Sequence, residues 1–436
     1  MIIALIAFVA LFSLVLLRVP IAFSMVIVGT AGFGFLRNFE ASFRLTGGSA
    51  FDTVLSFTLA VIPMFILMGN FLTLSGVSDS LFTAAHRLLY RMKGGLAMAT
   101  VLSCGGFSAV CGSSLATAAT MSKVAMPTMR KTGYADSLAT GSIAAGGTLG
   151  ILIPPSVVLI IYGLITEANI GKLFLAGVLP GLIGLLLYIF AVVVAVYLKP
   201  SLAPSEANCE PISAREVRGV IGVIALFIVI MGGIYGGIFS PSEAAAVGAL
   251  TAAVMAGFSK GMTLKRMLGA CIDTARTTAM IFALIIGAEV FSNFVSYAGL
   301  PDAILQWVTA METGPYAVIL MLVLVYLVLG AVLESLSMIL LTVPIFFPLV
   351  MSLEFGNTWL ADPENVAIWF GIIVVVVTEI SLISPPIGLN VFVLKSVLTD
   401  VSLATIFRGI IPFLLADILR LALLILVPAI SLILIN

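Results

Sequence analysis

The chain has 436 residues, of which 61% are hydrophobic and 9% charged, and its mean hydropathy is +1.27. A water-facing surface needs far more charge, so composition excludes a soluble globular domain and specifies an all-α polytopic membrane protein. Twenty Lys and Arg balance twenty Asp and Glu, and the basic residues lie mostly in short connections, so nothing points to nucleic acid as a partner.

Met1 leads straight into an apolar run, with no basic segment ahead of it and no clear small-residue cleavage site, and it reads as a retained first span. About twenty apolar residues cross a bilayer. On that measure spans are expected at 2–17, 19–36, 54–75, 137–165, 173–198, 219–238, 243–258, 271–297, 366–397 and 408–435. Segments 95–127 and 315–352 are too long for one helix, and each holds a small or polar break, Gly112-Ser113-Ser114 in the first and Glu334-Ser335 in the second. Both are expected to be re-entrant helical hairpins.

Flanking charge sets their sides. Arg87, Arg91 and Lys93 precede the first hairpin and Lys123, Arg130 and Lys131 follow its break, which puts both ends in the cytoplasm. The second is flanked by Asp302 and Glu312, then by Glu354, Asp362 and Glu364, and no Lys or Arg occurs from Thr277 through Leu394, so its ends face outward.

Two spans are interrupted. Gly146-Gly147-Thr148-Leu149-Gly150-Ile151-Leu152-Ile153-Pro154-Pro155-Ser156 cannot continue as a regular helix, because proline lacks an amide proton and clashes with the preceding turn. The same device returns in the stretch from Thr378 to Asn390, around Pro385-Pro386. Ser113 precedes Pro127 by the interval that separates Glu334 from Pro348, and each proline leads on to a Pro-Pro break. Matching hairpins of opposite entry and matching broken helices predict an inverted repeat, the architecture of a transporter whose site lies at the breaks. Between the halves, Lys199 to Arg218 mixes Pro204, Glu206, Glu210, Pro211, Arg215 and Glu216 and reads as a linker.

A hydroxyl-rich hairpin tip beside an unwound helix supplies oxygen ligands for a small hard cation. At the first break the candidates are Ser108, Gly112, Ser113, Ser114, Gly147, Thr148, Gly150 and Pro154, the last through its carbonyl; at the second they are Gly330, Glu334, Ser335, Thr378, Ile380, Ser384 and Pro386. Taken singly, each serine or threonine has an equal alternative, a hydrogen bond back to its own helix or to a neighbouring one. Half-helix amino termini between the tips suit a carboxylate, with Ser114, Thr117, Pro155, Ser156, Glu334 and Asn390 as expected contacts.

Charges at membrane depth are costly. Ser240-Pro241-Ser242-Glu243 fits a capping box, which makes Glu243 structural. Asp417 and Arg420 are spaced to neutralise each other, Arg276 to snorkel, and Glu334 and Glu379 remain as functional candidates. Cys104, Cys111, Cys209 and Cys271 form no CxxC pair and read as apolar fillers, and His86 as an interfacial residue beside Arg87 and Arg91. Gly106-Phe107-Ser108-Ala109 matches the GxSx of rhomboid-type proteases, but the required histidine would have to be the interfacial His86. No HExxH, P-loop or paired intramembrane aspartates are present, and an enzyme is not expected.

With these motifs the chain resembles the large membrane subunit, of the DctM type, of tripartite ATP-independent periplasmic (TRAP) transporters. The resemblance is carried by Gly112-Ser113-Ser114-Leu115-Ala116-Thr117-Ala118-Ala119, Gly147 to Ser156, Ser240 to Gly248, Leu341-Thr342-Val343-Pro344-Ile345 and Ile383 to Phe392. It implies a sodium-coupled importer in the bacterial inner membrane, without an organic cofactor. Its implied partners are a periplasmic binding protein that delivers an organic acid and a small membrane subunit of four helices. The two clusters above become sodium ligands. The implied fold is an elevator: scaffold helices in 1–94 and 166–270, transport-domain elements in 95–165 and 271–398, and a last helix in 399–436. Glu334 stands where the family often has aspartate, and Cys111 where a small residue is common. Thr117 gives the first tip a likeness to members that handle dicarboxylates. A self-sufficient sodium/anion symporter and a channel are the alternatives.

Overall fold

In a computed structural model the chain is described over residues 2–204, 213–259 and 262–435. Within these residues it is all-helical. The chain opens with α1 (Ile2–Leu16), α2 (Ile21–Leu36) and α3 (Phe39–Leu55), and a 3-10 turn at Phe57–Ala60 leads into α4 (Val61–Ser75) and α5 (Val77–Leu89). The first hairpin is α6 (Gly95–Cys111) and α7 (Ser114–Lys131), followed by the halves of a broken helix, α8 (Asp136–Thr148) and α9 (Val157–Thr166), and by α10 (Ile170–Leu198). Then come α11 (Ala214–Tyr235), α12 (Pro241–Gly257), the long α13 (Leu264–Tyr297) and the short α14 (Leu300–Ala310). The second hairpin is α15 (Pro315–Gly330) and α16 (Ser335–Met351), the second broken helix α17 (Pro363–Ile383) and α18 (Leu389–Val397), and α19 (Leu403–Leu426) and α20 (Ala429–Leu432) end the chain.

Both long segments therefore fold as helix pairs, and both interrupted spans break where proline removes the amide donor. Pro154-Pro155 and Pro385-Pro386 are joined by cis bonds. The expected span 408–435 is instead divided: α19 stops at Leu426 and Pro428 precedes the four-residue α20. Helices α3, α5 and α14 were not expected. Each carries charged residues, Glu40 and Asp52, Asp79 and Arg87, and Asp302, so none reads as a span. Among the described residues, and counting the 3-10 turn with α4, six helices are long and apolar enough to cross a membrane: α4, α10, α11, α13, α17 and α19. Of the linker, Glu206, Glu210 and Pro211 lie outside the described residues, as does Cys209.

Close backbone approach at glycines fixes the packing, as expected where helices associate in lipid through small residues. Helix α2 lies along α13, where a Cβ at Gly29 would fall 2.9 Å from Phe291 Cα, and α12 lies along α4 through Gly248 against Met68. Helices α6, α7, α8, α10, α18 and α19 share a second buried cluster. Its tightest contact joins α8 and α19: a Cβ at Gly141 would overlap the Gly409 carbonyl, and one at Gly409 the Ser137 carbonyl. Gly409→Val should separate these helices, since backbone oxygens cannot yield as a side chain would. The expected result is loss of monodisperse protein in size-exclusion chromatography; a normal elution profile would refute the contact. Helix α17 runs through the interior, buried continuously from Asn365 to Ile383.

Outside the apolar core, Arg130 pairs with Asp136 at 2.9 Å and Asp400 at 2.7 Å, tying the α7–α8 turn to the α18–α19 turn. Hydrogen bonding from Arg130 holds the Asp400 carboxyl below the usual aspartate range. A depressed folded-state value gives a contribution that is full above the unfolded aspartate value and is lost as pH falls through the folded one. Asp400→Asn should thus lower the unfolding temperature modestly at neutral pH, the pair being exposed. The gap to the parent should close in acid. A gap that persists at all pH values would exclude the ion pair as its source.

Candidate functional site

The first hairpin tip turns at Gly112, whose φ of 63° is open to glycine, and Ser113 caps α7 by accepting the Ala116 amide at 3.4 Å. The tip sits directly on the break between α8 and α9. A Cβ at Gly112 would lie 3.0 Å from the Pro155 carbonyl oxygen, one at Gly147 3.2 Å from that of Ser114, and one at Gly150 3.2 Å from both the Ser113 carbonyl oxygen and Ser108 Oγ. Three carbonyls and a hydroxyl thus crowd around three glycines. Ser108 Oγ is buried and has no hydrogen-bond partner. Pro154 is buried beside this group. Two expected members are directed elsewhere: Ser156 Oγ donates to Ile151 O at 2.5 Å and accepts the Leu159 amide, and Thr148 Oγ1 donates to Ala145 O at 2.7 Å and meets the Tyr188 hydroxyl at 3.1 Å.

The second tip turns between Gly330 and Glu334, the residue at the N-cap of α16, whose carboxylate faces the Leu336 and Ser337 amides of that first turn. Gly330 packs on Ser381 of α17. Along α17 the hydroxyls bond back within the helix, Thr378 to Val374 O at 2.8 Å and Ser381 to Thr378 O at 2.7 Å, and the Ile380 carbonyl accepts the Ser384 amide at 2.9 Å. Pro386 is exposed. Asn390 is buried, with Nδ2 donating to Ala144 O at 3.0 Å and Oδ1 without a partner.

One cavity of about 250 Å³ reaches both tips, and Gly112, Ser113, Ser114, Glu334 and Ser335 all line it. Cys111 is also in its wall, and Thr117, buried one turn into α7, has an unpartnered Oγ1. Gly147, Gly150 and Ser108 lie behind the first tip, and Gly330, Thr378, Ile380 and Ser384 on the α15–α17 side of the second. The far wall comes from α4 and α13, through Gly69, Asn70 and Thr277. Sequence reasoning missed Asn70, whose Nδ2 donates to Thr274 Oγ1 at 2.9 Å; a lone amide in the apolar run Val61–Ser75 was the available signal. Toward the carboxy-terminal ends of α9, α13 and α16 lies a larger space of about 600 Å³ with Asp52, Glu289 and Asn293 in its wall.

Of the intramembrane charges, Glu243 completes the expected capping box with Ser240. Arg420 and Asp417 do pair, at 2.7 Å, but Glu379 joins them: Arg420 Nη2 donates to it, and all three side chains are fully buried. Glu379, a functional candidate from the sequence, is thus a member of a buried ion network whose partner stands on another helix. Arg276 is exposed on α13, and His86 is half-buried and stacked on Phe82. Cys104 is buried against Gly146, and Cys271 is exposed.

The family model described as "Tripartite ATP-independent periplasmic transporter, DctM component" matches residues 8–430. A C4-dicarboxylate TRAP transporter large permease protein DctM of Pseudomonas aeruginosa is 38% identical over 88% of this chain and 88% of its own length. An ectoine TRAP transporter large permease protein TeaC of Halomonas elongata is 33% identical over 86% of this chain and 85% of its own. The solved YdaH transporter of Alcanivorax borkumensis shares the fold, with a TM-score of 0.55 at 16% identity over 86% of each chain. Paired hairpins, proline breaks and the cavity between them thus occur in a sequence matched almost from end to end, and the chain belongs to the DctM component family of tripartite ATP-independent periplasmic transporters.

Proposed function

We propose that the chain is the large permease subunit of a sodium-coupled symporter that imports an organic acid, a C4-dicarboxylate or related carboxylate, by an elevator mechanism. As a DctM-type permease it is an integral inner-membrane protein and a transporter subunit rather than an enzyme, and it works with a periplasmic binding protein and usually a small membrane subunit. The observation that carries the finer reading is the cavity shared by Ser113-Ser114 and Glu334-Ser335.

Sodium would be held at the first break by Ser108 Oγ and the Ser113, Ser114 and Pro155 carbonyls, each of which stands against a glycine of this junction. At the second tip Glu334 supplies negative charge inside the cavity, where a cation would offset it. No Lys or Arg is among the described residues that line the cavity, so a substrate carboxylate would rely on the first-turn amides and positive end of α7, those of α16 at Leu336 and Ser337 being turned to the Glu334 carboxylate. Thr117 and the name of the Pseudomonas relative favour a dicarboxylate.

An inverted repeat is supported by element order: α4, α5, the α6–α7 hairpin, broken α8–α9 and α10 are followed later by α13, α14, the α15–α16 hairpin, broken α17–α18 and α19. The opposite charge of the hairpin flanks supports opposite entry. For the elevator, α6–α10 with α15–α19 would move against α1–α4 and α11–α13. This division follows packing, since α10 lies on α19, α6 and α17 and α13 lies along α2, and it differs from the boundaries expected at 166–270 and 271–398.

The test is uptake of a labelled C4-dicarboxylate into proteoliposomes holding this chain and its small membrane subunit, with binding protein added, with and without an inward sodium gradient. Uptake that needs sodium and all three proteins is the expected result. Uptake by this chain alone would replace the tripartite reading with a self-sufficient symporter.

A further inference from the structure

A continuous chain of buried polar contacts runs between the two helix breaks. It begins at Thr148, the last residue of α8, whose hydroxyl lies 3.1 Å from that of Tyr188 on α10. Tyr188 donates to Asp417 Oδ2 at 2.6 Å. Arg420, one turn on from Asp417 along α19, lies 2.7 Å from Asp417 Oδ1 and donates to Glu379, which stands between Thr378 and Ile380 on α17. Thr148, Tyr188, Asp417, Arg420 and Glu379 are all 0% exposed. Room for the guanidinium is made by Gly184, where a Cβ would overlap Arg420 Nη1. The guanidinium also lies 5.9 Å from the centre of the Tyr188 ring, whose edge-on packing against Phe413 holds it in place.

We infer that this relay couples the two breaks, with Tyr188 and Arg420 as positioning residues, so that a cation bound at the first break raises affinity at the second. The inference rests on the sodium-coupled reading above. Neither residue lines the cavity, so both act through others. Tyr188 gives its proton to Asp417, so Thr148 is the donor at their contact and shares its proton with Ala145 O. A displacement of Thr148 either carries the Tyr188 hydroxyl, and with it Asp417, or takes away the donor to the Tyr188 oxygen, which buried groups cannot replace with water. Arg420 answers to both carboxylates, so any movement of Asp417 shifts the partner of Glu379, in the helix that carries Thr378, Ile380 and Ser384, ligands expected from the sequence. Two sites whose conformations are linked in this way share a coupling free energy, and each reports the occupancy of the other.

The experiment is a sodium titration of uptake by the complete assembly in proteoliposomes, for the parent and for Tyr188→Phe. Phenylalanine keeps the ring on Phe413 and under the guanidinium and removes only the hydroxyl that joins Thr148 to Asp417. The parent should be sigmoidal in sodium. In Y188F the Hill coefficient should fall to about one and half-saturating sodium should rise by about fivefold or more, with uptake at saturating sodium retained. Gly184→Ala, which pushes on the guanidinium from the other side, should do the same. A purely structural role would lower the amount of assembled protein or the maximal rate and leave the Hill coefficient alone. That result, or unchanged titrations in both variants beside a sodium-dependent parent, overturns the coupling and spares the sodium reading. A parent indifferent to sodium overturns both.

Discussion

Gly150→Ala should reduce sodium-driven uptake by about tenfold while leaving membrane insertion and pairing with the small subunit intact. The added Cβ would sit 3.2 Å from Ser108 Oγ and from the carbonyl carbon and oxygen of Ser113, closer than ordinary van der Waals contact. Two of those three atoms are backbone, so the hairpin tip must shift bodily. The shift needed is a few tenths of an ångström; a displacement of about 1 Å in positioned groups costs on the order of 10²-fold in rate, so about tenfold is expected here. Ser113→Leu should act in the same direction, because its side chain would have to enter the cavity that both tips share. Gly48→Ala is the matched control, with nothing within 4 Å of its Cβ. The measurement is initial uptake across a sodium series, with the assembled complex quantified in the same vesicles. Normal sodium affinity in G150A would remove the Ser108–Ser113–Gly150 group from the cation site.

The prolines and glycines made most of this architecture legible. Pro154-Pro155 and Pro385-Pro386 break helices wherever they fall, and Gly112-Ser113 and Glu334-Ser335 interrupt runs too long for one span, so both hairpins and both broken helices follow from backbone chemistry alone. Helices α3, α5 and α14 are marked by no apolar run of span length: α3 is interrupted by Glu40, Arg44 and Asp52, and α5 and α14 are short and bear charge. At the site, local pattern found the tips but not what faces them. Asn70 and Thr277 come from α4 and α13, distant in sequence from either tip. Thr148 shows the limit from the other side: its position in the break was evident, but its hydroxyl turns to Tyr188, a contact 40 positions along the chain. The i,i+3 spacing of Asp417 and Arg420 gave that pair, yet the third charge, Glu379, is 41 positions from Arg420 and only tertiary packing brings it in.

That ion network leads to the second large effect. Arg420→Met should destabilise the protein by about 3–5 kcal/mol, the range for removing one partner from a buried ion pair. The side chain lost is fully buried, and Glu379 and Asp417 would be left as two carboxylates with only Tyr188 to donate to them. Loss of packing alone cannot account for such a change, because methionine fills much of the same volume along the same stem. The cause is uncompensated charge, and a companion variant isolates it. Arg420→Met combined with Glu379→Gln and Asp417→Asn removes every formal charge from the network and should recover most of the lost stability, as uncharged replacements of buried ion groups commonly do. The measurement is thermal unfolding of the purified assembly in detergent at fixed pH and salt. A single variant as stable as the parent would mean that water reaches this part of the interior. A triple variant no better than the single would place the stabilisation in the geometry of the guanidinium rather than in charge balance. In that second case Gly184, kept bare beside Arg420 Nη1, becomes the residue through which α10 recognises α19.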